Sequence, residues 1–126
     1  MNFQTNRNLK IKPKFTVGTE AANAINVAIQ LYDRDNGNEV DERVGLAWYL
    51  ASNATGDAIA TAPTGGIAIG TDGLLLEWTA NVSGWVVSEV DGDIDVTITD
   101  SGTPTMYLVL VAPDGKVYVS GAITFA

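Results

Sequence analysis

With 126 residues and 46% hydrophobic content, the chain can form one globular domain with a buried core, and wholesale disorder is not expected. It contains no cysteine and no histidine, which excludes disulfides, cysteine-based zinc sites and the commonest general base of enzymes. The net charge of −8 makes nucleic-acid binding improbable, because an acidic body repels phosphates. No apolar run reaches the ~20 residues that span a bilayer, and the N-terminal residues lack the apolar core of a secretory signal.

The basic residues are concentrated at the start of the chain. Residues 1–18 contain four cations and no acid, whereas the rest of the chain carries three cations and all 15 acids. In LKIKPKFTV, the residues Lys10, Lys12 and Lys14 alternate with an apolar face that includes Pro13. Outward lysines and a proline are typical of an edge strand, where they discourage aggregation between sheets.

The same basic segment also has a second interpretation, as an assembly arm that docks on an acidic surface. Residues 1–8 are polar around a single Phe3 and are expected to be a flexible arm until they bind. The sequence therefore predicts five docking residues, which are Phe3, Arg7, Lys10, Lys12 and Lys14.

A period of two dominates the next part of the chain. In AINVAIQLYD and RVGLAWYLAS, apolar side chains occupy every second position, which predicts two half-buried strands. Between them, Asn36 and Gly37 form a strong turn signal. The predicted inward positions are Ile25, Val27, Ile29, Leu31, Val44, Leu46, Trp48 and Leu50.

Strand patterns resume after a loose connection at residues 53–66. In GLLLEWT, the residues Leu74, Leu76 and Trp78 share one face, which we expect to be the core face. A further strand follows in GWVVSEV, and DIDVTIT is expected to bury Ile94, Val96 and Ile98. TMYLVLVA is apolar on both faces, which predicts a central strand covered by the core on one side and by a loop or a partner on the other. About eight strands separated by turns predict an antiparallel sandwich or barrel.

The acidic stretch SEVDGDIDVTITD is the main candidate for a metal site. Asp91, Asp93 and Asp95 resemble the start of an EF-hand loop, but the sixth position is Val96 and the twelfth is Gly102. The alternation with apolar residues instead indicates a turn followed by a strand whose acids face water. We expect no metal site there, although a weak cation contact with the acidic loop DRDNGNEVDE stays open.

Candidate catalytic groups are few. A glycosidase with two carboxylates is the hydrolase class most compatible with this composition, but it needs a cleft lined by aromatic residues, which make up 8% of the chain. Trp48 and Trp78 both fall on predicted core faces, while Trp85 is not assigned to a face. The sequence therefore predicts a protein that is not an enzyme and has no cofactor.

From Phe15 onward, the chain resembles the immunoglobulin-like β-sandwiches of bacterial adhesins and tailed-phage virion proteins. The features that carry this resemblance are an apolar strand, an acidic Asn-Gly hairpin and a strand with a central tryptophan, here INVAIQLYDRDNGN followed by VGLAWYL. The resemblance places Trp48 at the position of the central tryptophan of immunoglobulin domains, without the accompanying disulfide. The C-terminal portion, from GGIAIGTDGLLLEW onward, is similar to small phage proteins that decorate or cement capsids.

The resemblance implies an all-β, antiparallel, immunoglobulin-like β-sandwich of about seven to nine strands over residues 9–126. It also implies a structural protein, made in the host cytoplasm, that decorates and stabilises the outer surface of a phage capsid. Its partners would be the major capsid protein and copies of itself, with no nucleic acid and no membrane.

The main alternative is a module that binds glycans or a host surface, using Trp85, Tyr49 or Tyr32 to stack on sugar rings. A weaker alternative is an enzyme with two carboxylates, which a paired acid of raised pKa in a cleft would support.

Overall fold

The computed structural model describes residues 10–126. This part of the chain contains ten strands and no helix. In this range there is accordingly no helix that could cross a membrane. The strands are β1 (Ile11–Val17), β2 (Ala24–Asp33), β3 (Gly45–Ala51), β4 (Gly66–Ile69), β5 (Leu74–Thr79), β6 (Ser83–Val87), β7 (Asp93–Thr99), β8 (Thr105–Val111), β9 (Val117–Val119) and β10 (Ile123–Thr124).

The strands form two antiparallel sheets. The four-stranded sheet has the order β1-β2-β7-β4, and the six-stranded sheet has the order β10-β8-β3-β6-β5, with β9 also paired to β8. Because β9 and β10 pair with successive parts of β8, they form one interrupted edge strand. The predicted antiparallel β-sandwich is therefore confirmed.

The core lies between the two sheets and is built from the inward positions of each strand. The inward residues predicted for β2, β3 and β7 are all buried, because strict alternation leaves only one face to cover. Trp48 is 2% exposed. Its indole Nε1 donates a hydrogen bond to the carbonyl oxygen of Leu76 at 3.2 Å, which satisfies the one polar atom of this core side chain.

Strand β8 is a central strand, as predicted. Its neighbours are β3 on one side and β9 with β10 on the other. On the face away from the core, the loop at residues 52–58 covers Val109, which is 0% exposed. Gly56 in this loop lies against Val109 and Val119, and its carbonyl accepts a hydrogen bond from the Tyr49 hydroxyl. The loop at residues 52–58 of the same chain therefore covers the outer face of β8 at Val109.

The immunoglobulin-like topology stays a prediction. The order β1-β2-β7-β4 matches the A-B-E-D sheet of immunoglobulin domains, and β3 lies beside β8 as strand C lies beside F. However, the chain forms β4 in the first sheet before it returns to the second sheet as the β5–β6 hairpin. In immunoglobulin domains strand E follows strand D directly, so the hairpin between β4 and β7 is a departure from that topology.

Candidate protein-binding surfaces

The basic segment forms an edge strand, as the lysines and Pro13 predict. Among the described strands, β1 pairs only with β2, and the side chains of Lys10, Lys12 and Lys14 are exposed. The Nζ atom of Lys10 lies 3.8 Å from a carboxylate oxygen of Asp35. Two of the predicted docking residues, Phe3 and Arg7, lie outside the described residues, so a docking role for this group of five stays a prediction.

The outer surface of the four-stranded sheet carries charges of both signs. Two lysines of β1 lie on one side and two aspartates of β7 on the other, with neutral side chains of β2 between them. We call this surface the charged face and define it by Lys12, Lys14, Gln30, Tyr32, Asp93 and Asp95.

Within the charged face, Asp95 has a structural role. Its carboxylate accepts hydrogen bonds from the backbone N–H groups of Thr71 at 2.6 Å and Asp72 at 3.0 Å, and from the Thr71 hydroxyl at 3.1 Å. Burial alone would raise the pKa of Asp95, but these hydrogen bonds to the charged form outweigh burial and lower it. Asp95 therefore holds the β4–β5 turn in place, and its carboxylate is already used within the chain.

The neighbouring Asp93 is in the opposite electrostatic situation. Burial, together with the negative charges of Asp91, Asp72 and Glu39, raises its pKa. The backbone N–H of Asp93 is bonded to the carboxylate of Asp91 at 3.3 Å, which places Asp91 in the predicted turn. Within residues 10–126, no group of three or more acidic side chains is arranged to hold a metal ion.

The outer surface of the six-stranded sheet is different, because its strand positions carry no charged residue. This uncharged face consists of Gly45, Ala47, Tyr49, Ala51, Leu74, Leu76, Trp78, Thr79, Ser83, Trp85, Val87, Thr105, Tyr107, Val109, Val111, Val117, Val119 and Thr124. One part of it lies under the loop at residues 52–58, and the part on β5 and β6 is open to solvent.

The open part contains four large, exposed apolar side chains, which we call the apolar patch. Leu74 is 59% exposed, Leu76 61%, Trp78 66% and Trp85 38%. The prediction that Trp78 packs in the core, with Leu74 and Leu76 on the same face, was therefore wrong. The three residues do share a face, but it is the outer one, and Leu75 points inward in their place. Isolated apolar residues are normal on a protein surface, but an adjacent group of four makes this surface a candidate interaction site.

The two exposed tryptophans lie next to each other. Their ring centroids are 6.3 Å apart and the rings are tilted by 31°. A register shift in the β5–β6 pairing between Glu77 and Thr79 leaves Trp78 as the extra residue of a bulge. Trp85 lies over Gly45 of β3, where an added Cβ would be 2.5 Å from the indole ring. The glycine therefore allows the indole of Trp85 to lie on the sheet.

Beside the patch, a groove opens between the edges of the two sheets. We call it the lateral groove and define it by Ile67 and Ile69 of β4 and Leu75 of β5, with Glu77 at its rim. Its volume is about 430 Å³. Ile69 and Leu75 occupy inward positions of their strands but are only partly buried. The core is therefore incompletely covered along this side of the sandwich.

The other aromatic residues proposed for sugar binding differ in their availability. The Tyr49 hydroxyl is bonded to the loop that covers Val109, and Tyr32 is half-buried within the charged face. Trp85 is the one of the three that lies in an apolar surface, and its neighbour Trp78 was not predicted to be there. The ambiguous face of the three consecutive leucines before Trp78 was the signal that could have suggested this placement.

The buried polar side chains have structural roles. The Ser88 hydroxyl accepts a hydrogen bond from the Val44 N–H at 3.0 Å, and the Ser120 hydroxyl accepts one from the Leu108 N–H at 2.9 Å. Asp100 accepts from the N–H groups of Thr64 and Gly102. These groups hold loops against strands, and their hydrogen-bonding capacity is used by the backbone.

No family model matches the sequence, and no curated protein is significantly similar to it.

Proposed function

We propose that this chain is a non-enzymatic structural protein that decorates and stabilises the outer surface of a phage capsid, docking through the apolar patch. The single observation behind this proposal is the exposure of Leu74, Leu76, Trp78 and Trp85 on a face without charges. Covering an exposed side chain of this size stabilises a complex by about 1.5 to 3 kcal/mol. The choice of a capsid as the partner rests on the sequence resemblance.

The distribution of charge supports a defined orientation on the partner. The acids and lysines of the charged face keep that side of the sandwich hydrated, while the uncharged face costs little to dehydrate. If many copies bind one particle, contacts of modest affinity are sufficient, because copies that touch each other add avidity. The exposed Lys10, Lys12 and Lys14 would then contribute mainly to the rate of encounter with an acidic surface.

Co-sedimentation with capsids that lack the protein tests this proposal. We expect the unaltered chain to sediment with the particles, and the variants Leu76→Glu and Trp78→Glu to lose at least tenfold in affinity. Val90→Glu is the matched control, because Val90 is also apolar and 56% exposed but lies in the β6–β7 loop. Equal binding of the two patch variants and the control would contradict docking through the patch.

The pair of exposed tryptophans also favours a second candidate, a glycan-binding module. Sugars stack on aromatic rings, whereas a protein partner needs only apolar area. The variant Trp78→Leu separates the two, because it keeps the apolar surface and removes the ring. Loss of binding to a glycan array by this variant, with no capsid binding by the unaltered chain, would favour the glycan-binding module.

A further inference from the structure

Two unpaired strand edges border the lateral groove. Among the described strands, β4 pairs only with β7, and β5 pairs only with β6. Each of these strands therefore has one side with free backbone N–H and C=O groups, which is a template for a further strand. The opposite edge strand, β1, is protected by Pro13 and by its lysines, whereas β4 has neither a proline nor a charge.

The groove between these edges offers apolar contacts for the side chains of an added strand. Ile69 and Leu75 point toward the core but stay partly exposed, because no residue covers them from the side in the described part of the chain. An apolar side chain placed there would complete the core. The carboxylate of Glu77 at the rim would favour a strand that also carries a positive charge.

The N-terminal segment, residues 1–9, has the sequence of such a strand. It contains no acid and one arginine, and asparagine or glutamine occupies every even position from 2 to 8. As an extended strand, the segment would place Phe3 and Leu9 on one face with Arg7, and amide side chains on the opposite face. The two faces are Phe3, Thr5, Arg7 and Leu9, and Asn2, Gln4, Asn6 and Asn8.

The distance across the sandwich favours a groove on another copy of the chain. Strand β1, which follows the segment, is separated from β4 by two strands, so three inter-strand spacings of ~4.8 Å amount to about 14 Å. Nine extended residues span about 30 Å. A segment that crossed to its own groove would use about half of its length before it could pair. A neighbouring copy can place its groove beside the segment without this loss.

We infer that residues 1–9 of one copy bind in the lateral groove of a second copy as an added strand, with Phe3 against Ile69 and Leu75. Backbone hydrogen bonds to the free edge supply affinity, and the groove selects the alternating side chains. Because β1 and β4 lie at opposite edges of the four-stranded sheet, each copy can give its own segment and receive another, which joins copies into reciprocal pairs, rings or chains. This inference goes beyond the capsid contact, which uses a different surface.

The absence of cysteine makes a direct test possible by disulfide trapping in the full chain. We expect a mixture of Phe3→Cys and Ile69→Cys chains to give a disulfide-linked heterodimer on oxidation. Thr124→Cys is the matched control, because Thr124 is exposed on the far edge strand β10, and its mixture with Phe3→Cys should give at least tenfold less product. If Ile69→Cys does not fold, Leu75→Cys on β5 serves instead, because the inference places Phe3 against Leu75 as well.

Two results would overturn the inference. One is a yield of heterodimer no higher than that of the control. The other is a double variant, Phe3→Cys with Ile69→Cys, that closes only within single chains at every concentration. Sedimentation velocity gives an independent measure, in which Phe3→Asp should weaken self-association at least tenfold. No capsid is present in these experiments, so their failure would leave the proposed capsid contact unaffected.

Discussion

The two outer surfaces of the sandwich differ far more than the two inner ones. Both inner surfaces are apolar and buried, and they meet in one core. The charged face of the four-stranded sheet has lysines and aspartates at the strand positions where the uncharged face of the six-stranded sheet has leucine, valine and tryptophan. A charged face is stabilised by hydration. A face with four exposed apolar side chains has a lower free energy when a partner covers it.

The two outer surfaces differ in whether their side chains contribute to the fold or remain available to a partner. Asp95 on the charged face is bonded to the β4–β5 turn, so its charge serves the fold. The apolar patch makes no comparable contribution to the core, since its side chains point away from it. We therefore expect substitutions of the patch residues to affect binding more than they affect stability. Four substitutions, two on each sheet, test the contacts that this comparison of the two faces depends on.

The largest effect is expected for Gly84→Ala, which tests whether β5 is held closely to β6. A Cβ at Gly84 would lie 1.8 Å from the carbonyl oxygen of Leu76, so the strand that carries the patch would have to move. We expect a loss of about 3 kcal/mol in the free energy of unfolding, measured in urea. Gly121→Ala is the control, because no atom lies within 4 Å of its added Cβ. Equal stability of the two variants would show that the patch does not depend on this contact.

A smaller effect is expected for Gly45→Ala, which disturbs the uncharged face without breaking strand pairing. The added Cβ would displace the ring of Trp85, because it would lie 2.5 Å from the indole. We expect a cost of about 1 kcal/mol and a red shift of the tryptophan emission as the ring moves into water. Gly121→Ala makes the same substitution at a site where the added Cβ meets nothing within 4 Å, and it should leave the emission of Trp85 unchanged. An unchanged emission spectrum in Gly45→Ala would contradict the described position of Trp85.

On the charged face, Asp95→Asn is expected to destabilise the protein by about 1 kcal/mol near neutral pH, because a charged acceptor of three hydrogen bonds becomes neutral. The pKa of Asp95 is lowered in the folded state, so its charge contributes stability above the ordinary aspartate pKa. That contribution is lost as the pH falls through the lowered pKa. Urea unfolding at a series of pH values should therefore show the cost of the substitution shrinking in this acidic range. A cost that is independent of pH would exclude the charge as its source.

The smallest effect, with the opposite sign, is expected for Asp93→Asn. The pKa of Asp93 is raised in the folded state by burial and by the neighbouring acids, so its ionised form opposes folding. Asparagine at this position should increase the free energy of unfolding by less than about 1 kcal/mol at neutral pH, since solvent screens the repulsion. Between the raised pKa and the ordinary aspartate value, this gain should disappear as the pH falls. If Asp93→Asn proved less stable than the unaltered chain, Asp93 would stabilise the fold as Asp95 does, and the predicted difference between the two acids would be wrong.

Part of the binding surfaces could be predicted from the sequence. Pro13 and the alternating lysines indicate an edge strand on chemical grounds that hold for any sheet, and β1 is one. The apolar patch was not predicted, because GLLLEWT has leucine at three consecutive positions and either face can be inward. The bulge at Trp78 adds a further change of register that no alternation pattern contains.

The Asn36-Gly37 pair determined the turn at Gly37, where φ is 77°. Local alternation by itself determined the all-β class and the buried residues of β2, β3 and β7. It did so because a strand with one apolar face has only one face to bury. Only the tertiary structure decided which sheet has a polar outer surface and which has an apolar one. That outcome depends on which strands become neighbours and which loop covers Val109, and contacts between residues distant in the chain set both.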